Sequence, residues 1–329
     1  LALGLRLDAR AHLLLAALIV LPIQASATSD NLWDNARVMD SKASAAGTIG
    51  GPLINLDYNS TNSSEHSINV SELQSIVEVY TATWCTNCIK TEQALDEAIG
   101  MQDEEVIRIH YHRFLYETID PFGSNSTDSR WVDEYGTGSI ESSETDFLRG
   151  MERVAPSKVF DGERMYTGVS TKSNSLTTDY STALALGSSH PFEKNGSLML
   201  SVERTGSNNS QFSITWGVML SSEKKNWEVN SWLMFVEQSA YFPEGSNGKG
   251  NYSHVLHEAV NIGSLNASSI VYNPPEPWDG DDMSVVLVVD WLTSSPSDGN
   301  PLPAPALSTL MFMLAALVPR RNGNSEPLQ

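Results

Sequence analysis

Two hydrophobic periods share this chain. Val77, Val79 and Tyr80 are β-favouring residues that read as a short buried strand. Past Cys85 and Cys88 the period changes: Ile89, Ala94, Leu95, Ala98 and Ile99 recur at helical spacing, with Lys90, Glu92, Asp96 and Glu97 on the wet side. A second core strand is predicted over 105–114, ended by Asp120-Pro121-Phe122-Gly123, then a helical stretch over 128–135. Another helix is predicted over 144–154, with Ser142 or Ser143 as N-cap. Residues 154–162 open a strand that Asp161-Gly162 turns into a hairpin over 165–169. A closing helix follows over 171–186, with Leu176, Tyr180, Ala183 and Leu184 in phase.

From residue 190 onward strand-like runs dominate: 197–203, 212–220, 227–237, 254–262 and 283–292. Within 212–218 large apolar residues alternate with small or polar ones, the period of a half-buried strand. Short strands separated by Gly/Ser/Asn turns predict an all-β immunoglobulin-like sandwich over 189–293.

The ends read differently. Arg6 and Arg10, an apolar run over 13–21 and Ala25-Ser26-Ala27 make 1–27 an expected secretory leader; the run is shorter than the ~20 residues of a membrane span. Residues 28–67 form a Ser/Asn-rich segment, with a short helix and lead-in strand over 31–51 and a linker over 59–67. At the other end, a Pro-rich linker over 294–305 precedes an apolar stretch within 306–321, closed by Arg320-Arg321, expected to act as a membrane anchor or sorting segment.

The 329 residues carry 40 Asp and Glu against 20 Lys and Arg, a formal charge of −20 that argues against nucleic acid as a partner. An exported chain lives where disulfides persist. Asn59, Asn62, Asn69, Asn125, Asn195, Asn208, Asn251 and Asn266 stand in N-x-S/T sequons, candidate surface glycosylation positions.

The chemistry concentrates in Thr83-Trp84-Cys85-Thr86-Asn87-Cys88-Ile89-Lys90, which holds the only two cysteines of the chain. The strand-to-helix reading puts Cys85 at a helix N-terminus, where unpaired N–H groups and the positive end of the helix dipole favour a thiolate. Cys88 is one turn on, within reach of a disulfide. A structural bridge closing so small a loop stabilises little, and no second cysteine pair completes a zinc site.

This motif resembles the thioredoxin superfamily. The resemblance implies an α/β thioredoxin-like fold over 68–188, followed by the sandwich. It implies catalytic Cys85 and Cys88, a substrate-contacting Trp84, and a cis-proline at Pro156 that lies against the cysteine pair and frees the backbone of Ala155 for an extended substrate. Thr86 and Asn87, the intervening dipeptide, and Lys90 would tune the redox potential. The acidic residue usual six positions before the first cysteine is replaced by Val79, with Glu78 one earlier. That departure is closer to secreted and outer-membrane thioredoxin-like proteins with an appended β-sandwich. Glu78, Tyr80, Thr81, Trp84, His110 to His112, Asp120-Pro121-Phe122, Arg130, Tyr135-Gly136, Phe160-Asp161-Gly162, Val236-Glu237 and 251–255 look like pieces of that branch.

The expected activity is exchange of disulfides with extracytoplasmic protein thiols, supported by a redox recycling partner and no cofactor, at the outer face of a cell membrane. Two other readings stand beside it. His110 and His112 share a strand face and, with the cysteines, form a candidate copper or zinc set. Alternatively the chain is a non-catalytic surface interaction protein.

Overall fold

The computed structural model describes residues 32–38, 43–56, 63–143, 150–205, 211–280 and 282–294. The expected leader, the 306–321 tail and the first six residues of the helix expected over 144–154 lie outside them. The rest of that stretch, 150–154, is not helical.

In chain order come β1 (Asp34–Asn35), β2 (Ala43–Asn55), β3 (Ser64–Asn69), β4 (Ile76–Thr81), α1 (Thr86–Ile99) and β5 (Ile107–His112). Then α2 (Asn125–Trp131) runs through a π turn (Val132–Gly136) into α3 (Thr137–Ser142). After these come β6 (Ser157–Phe160), β7 (Arg164–Thr167) and α4 (Leu176–Leu186). Six further strands follow: β8 (Ser197–Arg204), β9 (Phe212–Met219), β10 (Trp227–Tyr241), β11 (Asn251–Gly263), β12 (Ala267–Tyr272) and β13 (Met283–Ser294).

The sequence-based fold class is overturned by how these strands pair. The described residues are mostly β, and among them no separate α/β unit of thioredoxin type followed by a self-contained immunoglobulin-like sandwich is formed. One nine-stranded sheet runs β1-β7-β6-β4-β5-β11-β10-β13-β2, and a four-stranded sheet runs β12-β9-β8-β3. The strands of the cysteine half and of the C-terminal half meet where β5 lies parallel to β11, with Val255 opposite His110. The N-terminal segment is woven in as well. β2 pairs along β13, β3 pairs with β8, and β1 pairs with β7. The expected linker over 59–67 therefore becomes strand from Ser64, and no helix forms within 32–38.

The reason lies in β10 and β13. Met283 to Trp291 is buried without interruption, so both faces of β13 are covered. Val285, Leu287 and Val289 pack with Leu198, Leu200, Ile214 and Trp216 between the two sheets. Val286 and Val288 face the other way, into a core with Tyr80, Trp131 and Tyr135. β4 is buried on both sides too: Val77 and Val79 pack against Ala94, Leu95, Tyr180 and Leu184 of α1 and α4, while Ile76 and Tyr80 join the Trp131 core. A free-standing sandwich leaves one face of each sheet wet; here the α2–α3 segment covers it.

Local chemistry sets the ends of the helices. Ser124 caps α2 in a reciprocal capping box with Thr127. The closing helix starts at Leu176 rather than 171 because Ser175 Oγ accepts the Thr178 amide at 3.0 Å. The 171–174 stretch is instead held by Asp179, whose carboxylate accepts the Lys172 amide at 2.8 Å and the Ser173 hydroxyl.

The β6–β7 turn is tight. Asp161 has φ 53° and Gly162 φ 66°, and a Cβ on Gly162 would lie 2.3 Å from Thr48 Oγ1. Asp161 Oδ1 accepts the Ile76 amide at 3.1 Å, tying the turn to the start of β4. Burial, reinforced by Glu163, pushes the Asp161 carboxyl up to about 7 against the pull of the Ile76 amide and Arg164. Its folded-state pKa thus lies above its unfolded value. The stability it contributes is present below about pH 4 and is lost as pH rises through about 7. Asp161→Asn keeps the acceptor and tolerates the positive φ. Thermal melts at pH 5 and pH 8 are expected to differ less for this variant than for the wild type; equal differences would refute the assignment.

Candidate functional site

Cys85 is the N-cap residue of α1, and Cys88 lies in its first turn. The two form a disulfide. Cys85 Sγ accepts the Cys88 amide at 3.2 Å, so one unpaired helix N–H already points at this sulfur. Cys85 is 5% exposed and Cys88 1%, so both residues are buried and Cys85 is the slightly less buried of the two. Thr86 and Asn87 are exposed at the start of α1, and so is Lys90.

The remaining predicted contact residues are close by. Trp84 and Ala155 pack against the cluster of Ala82, Cys85 and Cys88. The Ala155–Pro156 bond is cis, and Pro156 is buried. Trp84 donates its indole N–H to Glu117 Oε2 at 2.8 Å, and the Arg113 guanidinium sits 5.9 Å from its ring centroid.

Near the disulfide lies a charged group of Glu92, Lys158 and Lys249, of which the sequence reading placed Glu92 on the wet side of the helix. Glu92 is only 8% exposed. Its Oε1 accepts the Thr81 hydroxyl at 2.8 Å, and its Oε2 pairs with Lys249 Nζ. Lys158, on the strand that follows Pro156, is 1% exposed and donates to Thr91, whose hydroxyl donates to the Cys88 carbonyl at 3.0 Å. Burial pulls the Lys158 ammonium down to about 8, opposed by Glu92. Burial also raises Glu92, but Lys249 and Lys158 outweigh it and leave its pKa below the ordinary value. The sequence did hold a signal for Glu92. It stands four residues after Cys88, on the same helix face.

The C-terminal half completes the site. The loop between β10 and β11 docks on the residues just before the cysteines. Asn247 and Tyr252 both donate to the Thr83 carbonyl, at 3.0 Å and 3.2 Å. Gly245 is required here, since a Cβ would lie 2.0 Å from the Tyr252 hydroxyl oxygen. Lys249 of the same loop supplies the partner of Glu92.

The histidines separate. His112 Nδ1 lies 2.8 Å from Asp120 Oδ2, and its ring packs on Phe122 and Tyr252. His110 sits against His254, with ring centroids 5.7 Å apart. Burial and its cationic neighbours Arg108 and Lys249 pull His254 down to about 3. Burial, with His254 next, holds His110 well below its usual value. Among the described residues no group of three or more His, Cys, Asp or Glu side chains gathers as a metal site. No helix among them is long and apolar enough to cross a membrane. The sequon residues Asn69, Asn125, Asn195, Asn251 and Asn266 are all exposed.

No protein-family model matches the chain, and no curated protein matches it. Among solved structures it is similar to a structural-genomics protein from Agrobacterium tumefaciens, at 15% identity over 61% of this chain and 78% of that one, with a TM-score of 0.35. It is also similar to HBP35 of Porphyromonas gingivalis, at 16% identity over 69% of this chain and 65% of that one, with a TM-score of 0.34.

Proposed function

We propose that the protein is a thiol–disulfide oxidoreductase acting on extracytoplasmic protein thiols or disulfides through Cys85 and Cys88. One observation carries the reading. The two cysteines of the chain are bonded to each other at the start of α1, with the slightly less buried residue at the helix cap. That position favours a thiolate on Cys85 once the bridge is reduced.

In the oxidising direction a substrate thiolate attacks Cys85 Sγ. The Cys85–Cys88 bond breaks, a mixed disulfide forms, and the electron pair leaves on Cys88. A second substrate thiolate then attacks the substrate sulfur of that mixed disulfide and releases Cys85 as thiolate. The substrate dithiol loses two electrons and the protein gains them; the reducing direction is the reverse. Trp84 and the Ala155–Pro156 segment flank the sulfur that is attacked. Thr86, Asn87 and Lys90 are the groups able to tune the potential. A recycling partner restores the pair. The expected leader and tail would set this chemistry at the outer face of a cell membrane.

The test is a redox titration of the full chain against glutathione, with thiols counted by alkylation and mass spectrometry. Reversible appearance of both thiols is expected. A potential well above about −200 mV marks a disulfide donor, and one near about −270 mV a reductant. A bridge that never reduces leaves an interaction protein with a structural disulfide and overturns the proposal.

A further inference from the structure

We infer that Asn69, Asn195 and Asn266 carry N-linked oligosaccharides that together cap one end of the four-stranded sheet and guard its edge strand β12, while Asn125, which also stands in a sequon, stays bare. The inference needs the export expected from residues 1–27 and is independent of the cysteine chemistry.

The sheet brings together what the sequence scatters. Asn69 is the last residue of β3 and stands opposite Ser197 of β8. Asn195 lies in the turn just before Ser197, and Ser197 is paired with Met219 at the end of β9. Asn266 immediately precedes β12, and its carbonyl accepts the Val218 amide. Neighbouring strands lie about 4.8 Å apart, so the row from β3 to β12 spans roughly 15 Å. All three asparagines are exposed, and β3 and β12 are the outermost strands of this sheet. Asn251, by contrast, opens β11 in the nine-stranded sheet.

This end of the sheet has apolar surface to cover. Met219 is 67% exposed and Leu265 59%. An unpaired strand edge is a template for pairing with another chain, and a charge or a proline usually blunts it. β12, Ala-Ser-Ser-Ile-Val-Tyr, has neither. A bulky, hydrated sugar on Asn266 does the same work.

The chemistry is a glycosyl transfer from a lipid-linked phosphate donor. The bond from the sugar C1 to the phosphate oxygen breaks, a C1–N bond to the asparagine side chain forms, the amide gives up one proton and the lipid phosphate leaves. The modified amide keeps one N–H, enough for the bond that Asn69 donates to the exposed Glu72 at 3.0 Å. Asn125 differs in the third residue of its motif. Thr127 is fully buried, and its hydroxyl donates to the Ser124 carbonyl at 3.0 Å and accepts the Ser124 amide at 3.1 Å. The hydroxyl that completes the motif is thus closed inside the capping box of α2. Ser71 is exposed, and Ser197 and Ser268 are half-buried.

Glycopeptide mass spectrometry of the full chain, purified from the cells that make it, reads each asparagine. Sugar is expected on Asn69, Asn195 and Asn266 and none on Asn125. Three bare asparagines at the sheet end, or Asn125 occupied as fully as they are, overturn the inference. The Ser71→Ala/Ser197→Ala/Ser268→Ala variant keeps the asparagines and breaks the three motifs. It is expected to sediment as dimers or larger species where the glycosylated chain sediments as a monomer; removing the sugars from the folded wild type gives the same reading should the variant fail to fold. Sugar-free chain that stays monomeric overturns the guarding role.

Discussion

Cys85→Ser is expected to lose disulfide exchange entirely, whereas Cys88→Ser is expected to accumulate mixed disulfides with its substrates. The asymmetry follows from the geometry. Both cysteines are buried, Cys85 slightly less so at the cap of α1 and Cys88 more so one turn on. Without Cys85 nothing accessible attacks. Without Cys88 the first exchange proceeds, but no neighbouring thiol resolves it. Non-reducing electrophoresis and mass spectrometry of protein treated with a disulfide-bonded peptide read both outcomes. If neither variant changes exchange or traps an adduct, the redox reading is wrong. If both lose it equally and neither traps, the roles of attacking and resolving sulfur are misassigned. A bridge over so short a loop adds little stability, so the two variants should unfold near the wild-type midpoint.

The second large effect is structural. Arg130→Met is expected to destabilise the fold by about 3–5 kcal/mol. Arg130 is fully buried. It forms a bidentate pair with Asp290, at 2.7 and 3.2 Å, and also reaches Glu78 at 3.3 Å and the Tyr111 hydroxyl at 3.1 Å. Its guanidinium lies 4.6 Å from the Trp232 ring centroid. Glu78 is held further by the hydroxyls of Tyr111 and Tyr135, and Asp290 by Thr48 and Arg37. One guanidinium thus joins β4, β5, α2, β10 and β13, and removing it takes the guanidinium from buried Glu78 and leaves Asp290 with Arg37 as its cation. The exposed Arg108–Asp96 pair is the control: breaking it should cost no more than about 1 kcal/mol. Denaturant midpoints check both.

The pH dependence gives an independent reading. Burial alone would raise the Asp290 carboxyl, but Arg130 and Arg37 reverse this and hold it well below the ordinary range. A depressed carboxylate contributes stability that is present above its unfolded pKa and is lost as pH falls. The wild type should therefore weaken below about pH 4. In Arg130→Met, where Asp290 keeps Arg37 alone, that loss should shrink.

The cluster also explains several residues that the motif reading brought together without a role. Glu78, Arg130 and Tyr135 belong to one buried network, Asp120 and His112 to the support of the Trp84 loop, and Asp161-Gly162 to the turn against Thr48. Their work is to hold elements in place. Trp84 and Ala155, by contrast, pack against the cluster of Ala82, Cys85 and Cys88.

Local order was readable from the sequence alone. The β4–α1 unit with its cysteines, the second core strand, the Asp161-Gly162 turn and most of the later strands follow from period, turn residues and capping, because these act over a few residues. What covers each face does not. The wet side assigned to Glu92 failed because Lys249, far away in the chain, arrives over it on the β10–β11 loop. The sequential two-domain fold failed because strand pairing is set by which edges meet, and β5 and β11 are joined only in space. The uninterrupted apolar run from Val285 to Val289 was the hint of burial on both faces, but such a run does not say which element supplies the second layer. Tertiary structure decided that, since hydrophobic burial is non-directional and is satisfied by whatever apolar surface the chain can bring to it.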